Sequence, residues 1–148
     1  MEGMEVRPPT LDDEADWRRL WTEYLDFYET TVPEEVYVET WKRLHTEGEF
    51  EPKCLLAVTH TKPMGLVHFL YHRSAWSVAN SCYLQDLYVN PERRGTGLGR
   101  VLIEAVKRIA GEKGVTNVHW LTHESNATAR QLYDRVGKNT GFLRYKVD

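Results

Sequence analysis

The sequence predicts an α/β fold, in which a sheet is flanked by helices. Three observations over its 148 residues support this prediction. Two aromatic segments near the start have the apolar spacing of helices, and apolar runs at 54–58 and 64–71 predict a β-hairpin. Residues 83–106, YLQDLYVNPERRGTGLGRVLIEAV, combine a strand, a basic glycine loop and an amphipathic helix. We expect the chain to be organised around this last segment.

The N-terminal third is expected to hold a short strand and two helices. Residues Met4–Arg7 are the strand candidate, which two prolines end. The first helix begins after Thr10, a favourable N-cap, and continues to about Tyr28. The second begins with Pro33 at its first helical position and continues to about His45. Most aromatic side chains of these helices are expected to pack in the core, and some to line a pocket.

The remaining elements follow from the same patterns. A turn at 61–63 joins the hairpin strands, and residues 72–80 form a loop that leads into a central strand at 83–89. Beyond it we expect, in order, a helix, a short strand, a second helix and a last strand, at residues 98–113, 117–121, 126–137 and 141–147. The last strand is predicted because apolar and basic residues alternate there, as in a half-exposed strand.

Residues 93–99, RRGTGLG, have the composition of an anion-binding turn. Glycines at alternate positions let backbone N–H groups approach one anion, and the helix N-terminus adds partial positive charge. A pyrophosphate fits this arrangement. The dinucleotide fingerprint G-x-G-x-x-G fails, because Arg100 or Leu102 stands at its third glycine, and no Lys-Ser/Thr pair follows as in a Walker loop. A nucleotide-phosphate binder is therefore the weaker interpretation.

Charge and cysteine content argue against several classes of function. A net charge of −3 provides no basic surface for general nucleic-acid binding. Cys54 and Cys82 fall in predicted strands as buried free thiols, and no Cys/His spacing predicts a metal site. No apolar run approaches the roughly 18 residues that span a membrane, and the N-terminus lacks the apolar core of a signal peptide. We expect one cytoplasmic domain over residues 1–148, without metal, nucleic-acid or membrane partners.

Two short motifs resemble those of one enzyme superfamily. Residues 94–99, RGTGLG, fit the pattern R/Q-x-x-G-x-G/A, and residues 126–137 fit N-x-x-A-x-x-L-Y-x-x-x-G. The sequence thus resembles the GNAT superfamily of N-acetyltransferases, and most of all its branch of histone and polyamine acetyltransferases of the spermidine/spermine type. The resemblance implies the GNAT acyl-CoA N-acyltransferase fold, with a mixed, mostly antiparallel central sheet flanked by helices. It also implies acetyl-CoA as cosubstrate and a homodimer paired through the last strand.

The resemblance further implies where acetyl-CoA binds. The central strand would polarise the thioester carbonyl with backbone N–H groups, the glycine loop would bind the pyrophosphate, and guanidinium groups would match phosphate geometry. The implied cosubstrate-binding residues are Leu87, Tyr88, Val89, Arg94, Gly95, Thr96, Gly97, Leu98, Gly99, Arg100 and Asn126.

Acetyl transfer to an amine needs a proton acceptor for the ammonium and a proton donor for the leaving thiolate. Tyr133, which the resemblance places near the thioester sulfur, is the predicted general acid, because a phenol is protonated at neutral pH. Gln85 occupies a strand position where the polyamine branch often has a glutamate, and an amide cannot act as a base. Asp86 is the preferred base, but in a regular strand it faces the opposite side and needs a bulge or a relaying water. The alternatives are Glu29, His119, His123 and Glu124.

The expected acceptor is a primary amine, in a polyamine, a protein lysine or another small molecule. Aromatic and acidic residues in the N-terminal helices predict a pocket that attracts a cation. The candidate substrate-binding residues are Tyr24, Tyr28, Glu29 and Gln85. Direct attack in a ternary complex is expected, although Cys82 near the central strand leaves a ping-pong route open. The alternative function is a non-catalytic acetyl-CoA-binding or sensor module, which the amide at Gln85 favours and Tyr133 disfavours.

Overall fold

The centre of the protein, seen in a computed structural model that describes residues 3–148, is a five-stranded sheet. Its strands, in spatial order, are β1 (Met4–Arg7), β2 (Lys53–Thr59), β3 (Lys62–His72), β4 (Ser81–Val89) and β5 (Val118–His119). Neighbouring strands from β1 to β4 pair antiparallel, whereas β4 and β5 pair parallel. The sheet is therefore mixed and mostly antiparallel, as expected.

Helices flank this sheet. They are α1 (Glu14–Phe27), α2 (Glu34–Leu44), α3 (Leu98–Glu112) and α4 (Ala127–Val136). A 3-10 turn at Leu11–Asp13 leads into α1, and a second at Pro91–Arg93 follows β4. The prediction that Pro33 is the first helical residue is wrong by one position. Its ψ of 155° is extended, so Pro33 is the N-cap and α2 begins at Glu34.

Apolar side chains form one cluster on each face of the sheet. On one face α3 packs through Leu98, Leu102 and Val106, which are completely buried. On the other face α1 and α2 bring Trp17 and Trp41 together, with ring centroids 5.0 Å apart. The aromatic residues of the N-terminal helices thus contribute to a core that positions α1 against the central strands.

The predicted strand at 141–147 is wrong. Residues 138–148 form no helix or strand, and the predicted strand at 117–121 shortens to the two residues of β5. A strand persists only when a neighbour takes up its backbone hydrogen bonds, and within residues 3–148 no strand pairs with this tail. Its apolar side chains are highly exposed, namely Phe142, Leu143, Tyr145 and Val147.

The cysteines, the helices and the metal-ligating side chains can each be compared with what the sequence led us to expect. Cys54 and Cys82 are free and buried, as expected. In the part of the chain that the structure describes, no helix is sufficiently long and apolar to cross a bilayer. Residues 3–148 also contain no group of three or more His, Cys, Asp or Glu side chains placed to hold a metal ion.

Candidate active site

A β-bulge interrupts β4 at the predicted site. His68 of β3 pairs with Asp86, but the next residue, Phe69, pairs with Leu84, so Gln85 is the extra residue. The bulge breaks the alternation of the strand and brings Asp86 to the face covered by α1, whereas Leu84 packs in the cluster beneath α3. The bulge that the sequence analysis named as one requirement for Asp86 is therefore present, and it turns the carboxylate away from the α3 face.

A small cleft opens where β4 and β5 separate. In the chain as described, the two strands pair at Cys82–Val118 and Tyr83–His119, and β4 continues beyond these pairs without β5 beside it. The cleft is lined by Tyr24, Tyr28, Leu84, Gln85, Leu87, Trp120, Leu121 and Tyr133. Five residues that the sequence assigned to the site meet here, namely Tyr24, Tyr28, Gln85, Leu87 and Tyr133.

Tyr133 reaches the cleft from α4, whose N-terminus directly follows Asn126. Its ring centroid lies 5.6 Å from that of Trp120, which orients the phenol against the end of β5. Burial, with a smaller contribution from Tyr28, raises the pKa of Tyr133 to about 12. The hydroxyl is therefore protonated at neutral pH and has a proton to donate.

Asp86 lies next to the cleft, in contact with one of its walls. Its side chain is 14% exposed. Burial, followed by the charge of this carboxylate, raises the pKa of Tyr24, which lines the cleft. The rings of Tyr24 and Tyr28 are 5.1 Å apart between centroids, so the two phenols form a continuous aromatic wall. Asp86 thus lies between two residues of β4 that line the cleft, Gln85 and Leu87, and its charge acts on Tyr24.

A buried hydrogen-bonded chain behind Asp86 was not predicted from the sequence. The indole Nε1 of Trp17 donates to Nε2 of His68 at 2.9 Å, and Nδ1 of His68 lies 2.9 Å from Oδ2 of Asp86. Trp17 and His68 are 0% and 3% exposed, so both polar groups depend on these bonds. The available signal was a single histidine in the otherwise apolar run 64–71, MGLVHFLY, since a buried polar side chain requires a partner.

The glycine loop joins β4 to α3. Gly95 and Gly97 have φ angles of +77° and +87°, in the left-handed region that favours glycine. Gly97 is the N-cap of α3, so the first N–H groups of this helix have no acceptor within it. At Gly99 a Cβ would lie 3.1 Å from Cδ2 of Leu132 on α4. Two glycines therefore allow the left-handed turns of the loop, and the third leaves space for the close approach of α4.

The two arginines implied to bind phosphate are placed differently. Nε of Arg94 donates to the carbonyl of Val89 at 3.2 Å, and its guanidinium lies 5.8 Å from the ring centroid of Tyr88. Nε of Arg100 lies 3.0 Å from the carboxylate of Glu104, one turn further along α3. Both side chains are exposed.

The alternative bases are not among the residues that line the cleft. Glu29 follows α1 and is exposed, as is Glu124 in the loop before α4. His119 has its Nε2 3.0 Å from Nε2 of His72, and burial lowers its pKa. Nδ1 of His123 accepts a hydrogen bond from a backbone N–H of its own loop. The contacts of His119 and His123 lie in β5 and in the loop after it, and His119 pairs with Tyr83, two residues before the bulge residue Gln85.

Comparison with known proteins identifies the family. Residues 17–137 match the Acetyltransferase (GNAT) family. This chain belongs to the GNAT family. It is accordingly an acetyltransferase with the GNAT fold, as the two sequence motifs predicted.

Relatives of this GNAT acetyltransferase include named enzymes. The D-amino-acid N-acetyltransferase of Saccharomyces cerevisiae is 37% identical over 135 residues, which cover 90% of this chain and 84% of that protein. The thialysine N-epsilon-acetyltransferase of Caenorhabditis elegans is 31% identical over 98 residues, covering 63% of this chain and 61% of that enzyme. An aminoglycoside N-acetyltransferase in complex with CoA has a TM-score of 0.84 at 15% identity, covering 98% of this chain and 94% of the other. This last likeness concerns the fold.

Proposed function

We propose that this GNAT acetyltransferase transfers the acetyl group of acetyl-CoA to a primary amine of a small molecule, by direct attack in a ternary complex. One observation carries the proposal. Tyr133 and the bulge at Gln85 border the same cleft, at the point where β4 and β5 separate. A proton donor and a carboxylate-bearing strand thus converge on one opening, which is what the two proton transfers of the reaction require.

The proposed steps assign each proton. Asp86 removes one proton from the ammonium, directly or through Tyr24 or water, and the amine nitrogen then attacks the thioester carbonyl carbon. The C–N bond forms, the C–S bond breaks, and Tyr133 donates its proton to the departing sulfur. The second proton on the nitrogen returns to Tyr133 through solvent. Backbone N–H groups at Leu87 or Val89 polarise the carbonyl, because β4 has lost its parallel neighbour at this level.

Acetyl-CoA is proposed to lie along β4, the glycine loop and the start of α3. The left-handed glycines Gly95 and Gly97 and the free N–H groups at the start of α3 fit a pyrophosphate. The hydroxyl of Thr96 donates to the carbonyl of Arg93 and stabilises this turn. The remaining proposed contacts come from Tyr88, Arg94, Leu98, Gly99, Arg100 and Asn126.

The proposed acceptor is a small amine of the amino-acid type. The relatives named for D-amino acids and for thialysine support this choice. Tyr24, Tyr28 and Gln85 are proposed to contact the acceptor, because they line the cleft beside Leu87. Glu29, which follows Tyr28 and is exposed, is proposed to attract its cationic groups. Polyamines and protein lysine, the acceptors of the histone and polyamine branch, are the competing choices.

An amine panel tests this proposal. The protein would be incubated with acetyl-CoA and with D- and L-amino acids, thialysine, spermidine, an aminoglycoside and a lysine-containing peptide, while thiol release and product mass are measured. Release with amino-acid amines is expected, whereas preference for spermidine or the peptide would reassign the acceptor. If no amine of the panel gives thiol release or product, while calorimetry still shows CoA binding, the result would favour the sensor module.

The chain is further proposed to form a homodimer, as one cytoplasmic domain over residues 1–148. The exposed apolar side chains at 142–147 and the two-residue β5 support pairing of the tail with a second copy. Sedimentation of the full chain is expected to give a dimer, and removal of residues 140–148 a monomer. A full-length monomer at micromolar concentration would contradict this assembly.

A further inference from the structure

We propose that His68 is a positioning residue for Asp86, and that Trp17 sets the tautomer in which His68 does this. The inference rests on the proposed role of Asp86 as general base. The three side chains come from three different elements, α1, β3 and β4, and form one buried chain of hydrogen bonds.

The direction of each bond follows from the chemistry of its partners. An indole N–H donates and cannot accept, so Nε2 of His68 must present a lone pair to Trp17. A neutral imidazole has one N–H, which is then on Nδ1 and donates to Oδ2 of Asp86. Protonation of His68 on Nε2 would require the loss of the Trp17 bond inside a cluster where both residues are fully or nearly fully buried.

A neutral hydrogen-bond donor such as the imidazole of His68 is compatible with the proposed role of Asp86 as general base. A lysine or arginine at this place would cancel the charge of the carboxylate and make it a weaker proton acceptor. The Nδ1–H of His68 instead holds Oδ2 and occupies only one of the two carboxylate oxygens, while the charge of Asp86 still acts on Tyr24. The bulge makes this anchor necessary, because the extra residue Gln85 interrupts the regular ladder directly beside Asp86.

Other titratable side chains surround the pair of His68 and Asp86. Burial raises the pKa of Cys54, which is opposite His68 in the sheet, and of Tyr24, so both are neutral at neutral pH. The carboxylate of Asp13 is bound to Arg7 at 2.7 Å. Further titratable side chains on the elements around the pair include Tyr37 from α2, Tyr83 and Tyr88 from β4, and Glu23 from α1, whose carboxylate accepts from the hydroxyl of Tyr88.

Three substitutions at His68 separate positioning from packing. His68→Leu keeps the volume and removes both bonds, and we expect turnover with the acceptor to fall about 10- to 100-fold while the Kd of acetyl-CoA stays within about twofold. His68→Asn retains a donor near the position of Nδ1 and is expected to recover most of this loss. His68→Gln places its amide nearer the position of Nε2 and is expected to recover less.

The tautomer is tested with Trp17→Phe, against Trp41→Phe as the matched control in the same aromatic cluster. Loss of the indole donor frees Nε2 of His68 to carry a proton, so the pH profile of Trp17→Phe should differ from that of the wild type on its acid side. Trp41→Phe should keep the wild-type pH profile, because Trp41 contacts Trp17 by its ring. Identical profiles for the two variants would overturn the role of Trp17.

A double-mutant cycle with Asp86→Asn distinguishes this inference from the proposed function. If Asp86→Asn retains wild-type turnover, Asp86 is not the base and the proposed mechanism fails. If Asp86→Asn is inactive but His68→Leu has wild-type turnover and pH profile, the positioning role alone fails. The expected result is coupling: His68→Leu has no further effect once Asp86 is Asn. Should His68→Leu not fold, as judged by circular dichroism, His68→Asn and Trp17→Phe against its control still decide the question.

Discussion

The acid role of Tyr133 makes a quantitative prediction about pH. Burial raises its pKa to about 12, whereas an ordinary tyrosine has a pKa of about 10. At pH 10 an ordinary tyrosine would be about half ionised, but Tyr133 only about 1% ionised. Because a general acid works in its protonated form, single-turnover acetyl transfer should stay level from about pH 8 to pH 10.

Replacing the hydroxyl tests the same residue directly. Tyr133→Phe should lower the single-turnover rate by about 10²- to 10⁴-fold, the range that general acid catalysis contributes. The Kd of acetyl-CoA should stay within about twofold, because the ring retains its packing against Trp120. Stopped-flow detection of free thiol measures the rate, and calorimetry measures the Kd. Tyr37→Phe is the control, since the hydroxyl of Tyr37 bonds only Thr22 at the exposed surface of α1 and α2.

Two results would refute this reasoning in different ways. A wild-type rate in Tyr133→Phe would remove Tyr133 as the acid. The second result is a wild-type rate that falls with an apparent pKa near 10, together with a Tyr133→Phe rate that shows no such fall. It would keep Tyr133 as the acid but show that the cleft does not bury its phenol as described.

Two further predictions concern stability and the glycine loop. Arg7 lowers the pKa of Asp13 to about 2, so this ion pair stabilises the fold by about 2 kcal/mol above pH 4, and the stabilisation is lost as the pH falls through 2. Asp13→Asn should therefore lower the free energy of unfolding by about that amount at pH 7 and hardly at all at pH 2. The exposed control Asp12→Asn should not show this pH-dependent loss. A loss of stability in Asp13→Asn that is independent of pH would contradict the assignment. Gly97→Ala places a side chain at φ +87°, at a cost of about 1–2 kcal/mol. This variant should weaken acetyl-CoA binding about fivefold or more. The control Gly111→Ala, inside α3, should leave acetyl-CoA binding unchanged. Equal affinity of the two alanine variants for acetyl-CoA would remove the glycine loop from the site.

Local signals in the sequence were sufficient for most elements of the fold. Helical spacing, caps and helix-ending glycines predicted α1 to α4, and apolar runs bounded by turn residues predicted β2, β3 and β4. These signals succeed because they depend on residues only a few positions apart. The glycine loop and the Asn126 to Gly137 motif also identified the superfamily, which the family match confirms.

Features that depend on pairing between distant segments could not be predicted. The bulge at Gln85 exists only in the register between β3 and β4, and it decides on which face Asp86 lies. The contact of His68 with Trp17 joins residues 51 positions apart, and no local pattern encodes it. For the same reason the alternation at 141–147 predicted a strand that the tail does not form, since a strand needs a neighbour. The sequence by itself thus determined most of the elements and the family. Only the tertiary structure decided which side chains share the cleft, because backbone pairing and side-chain packing set those distances.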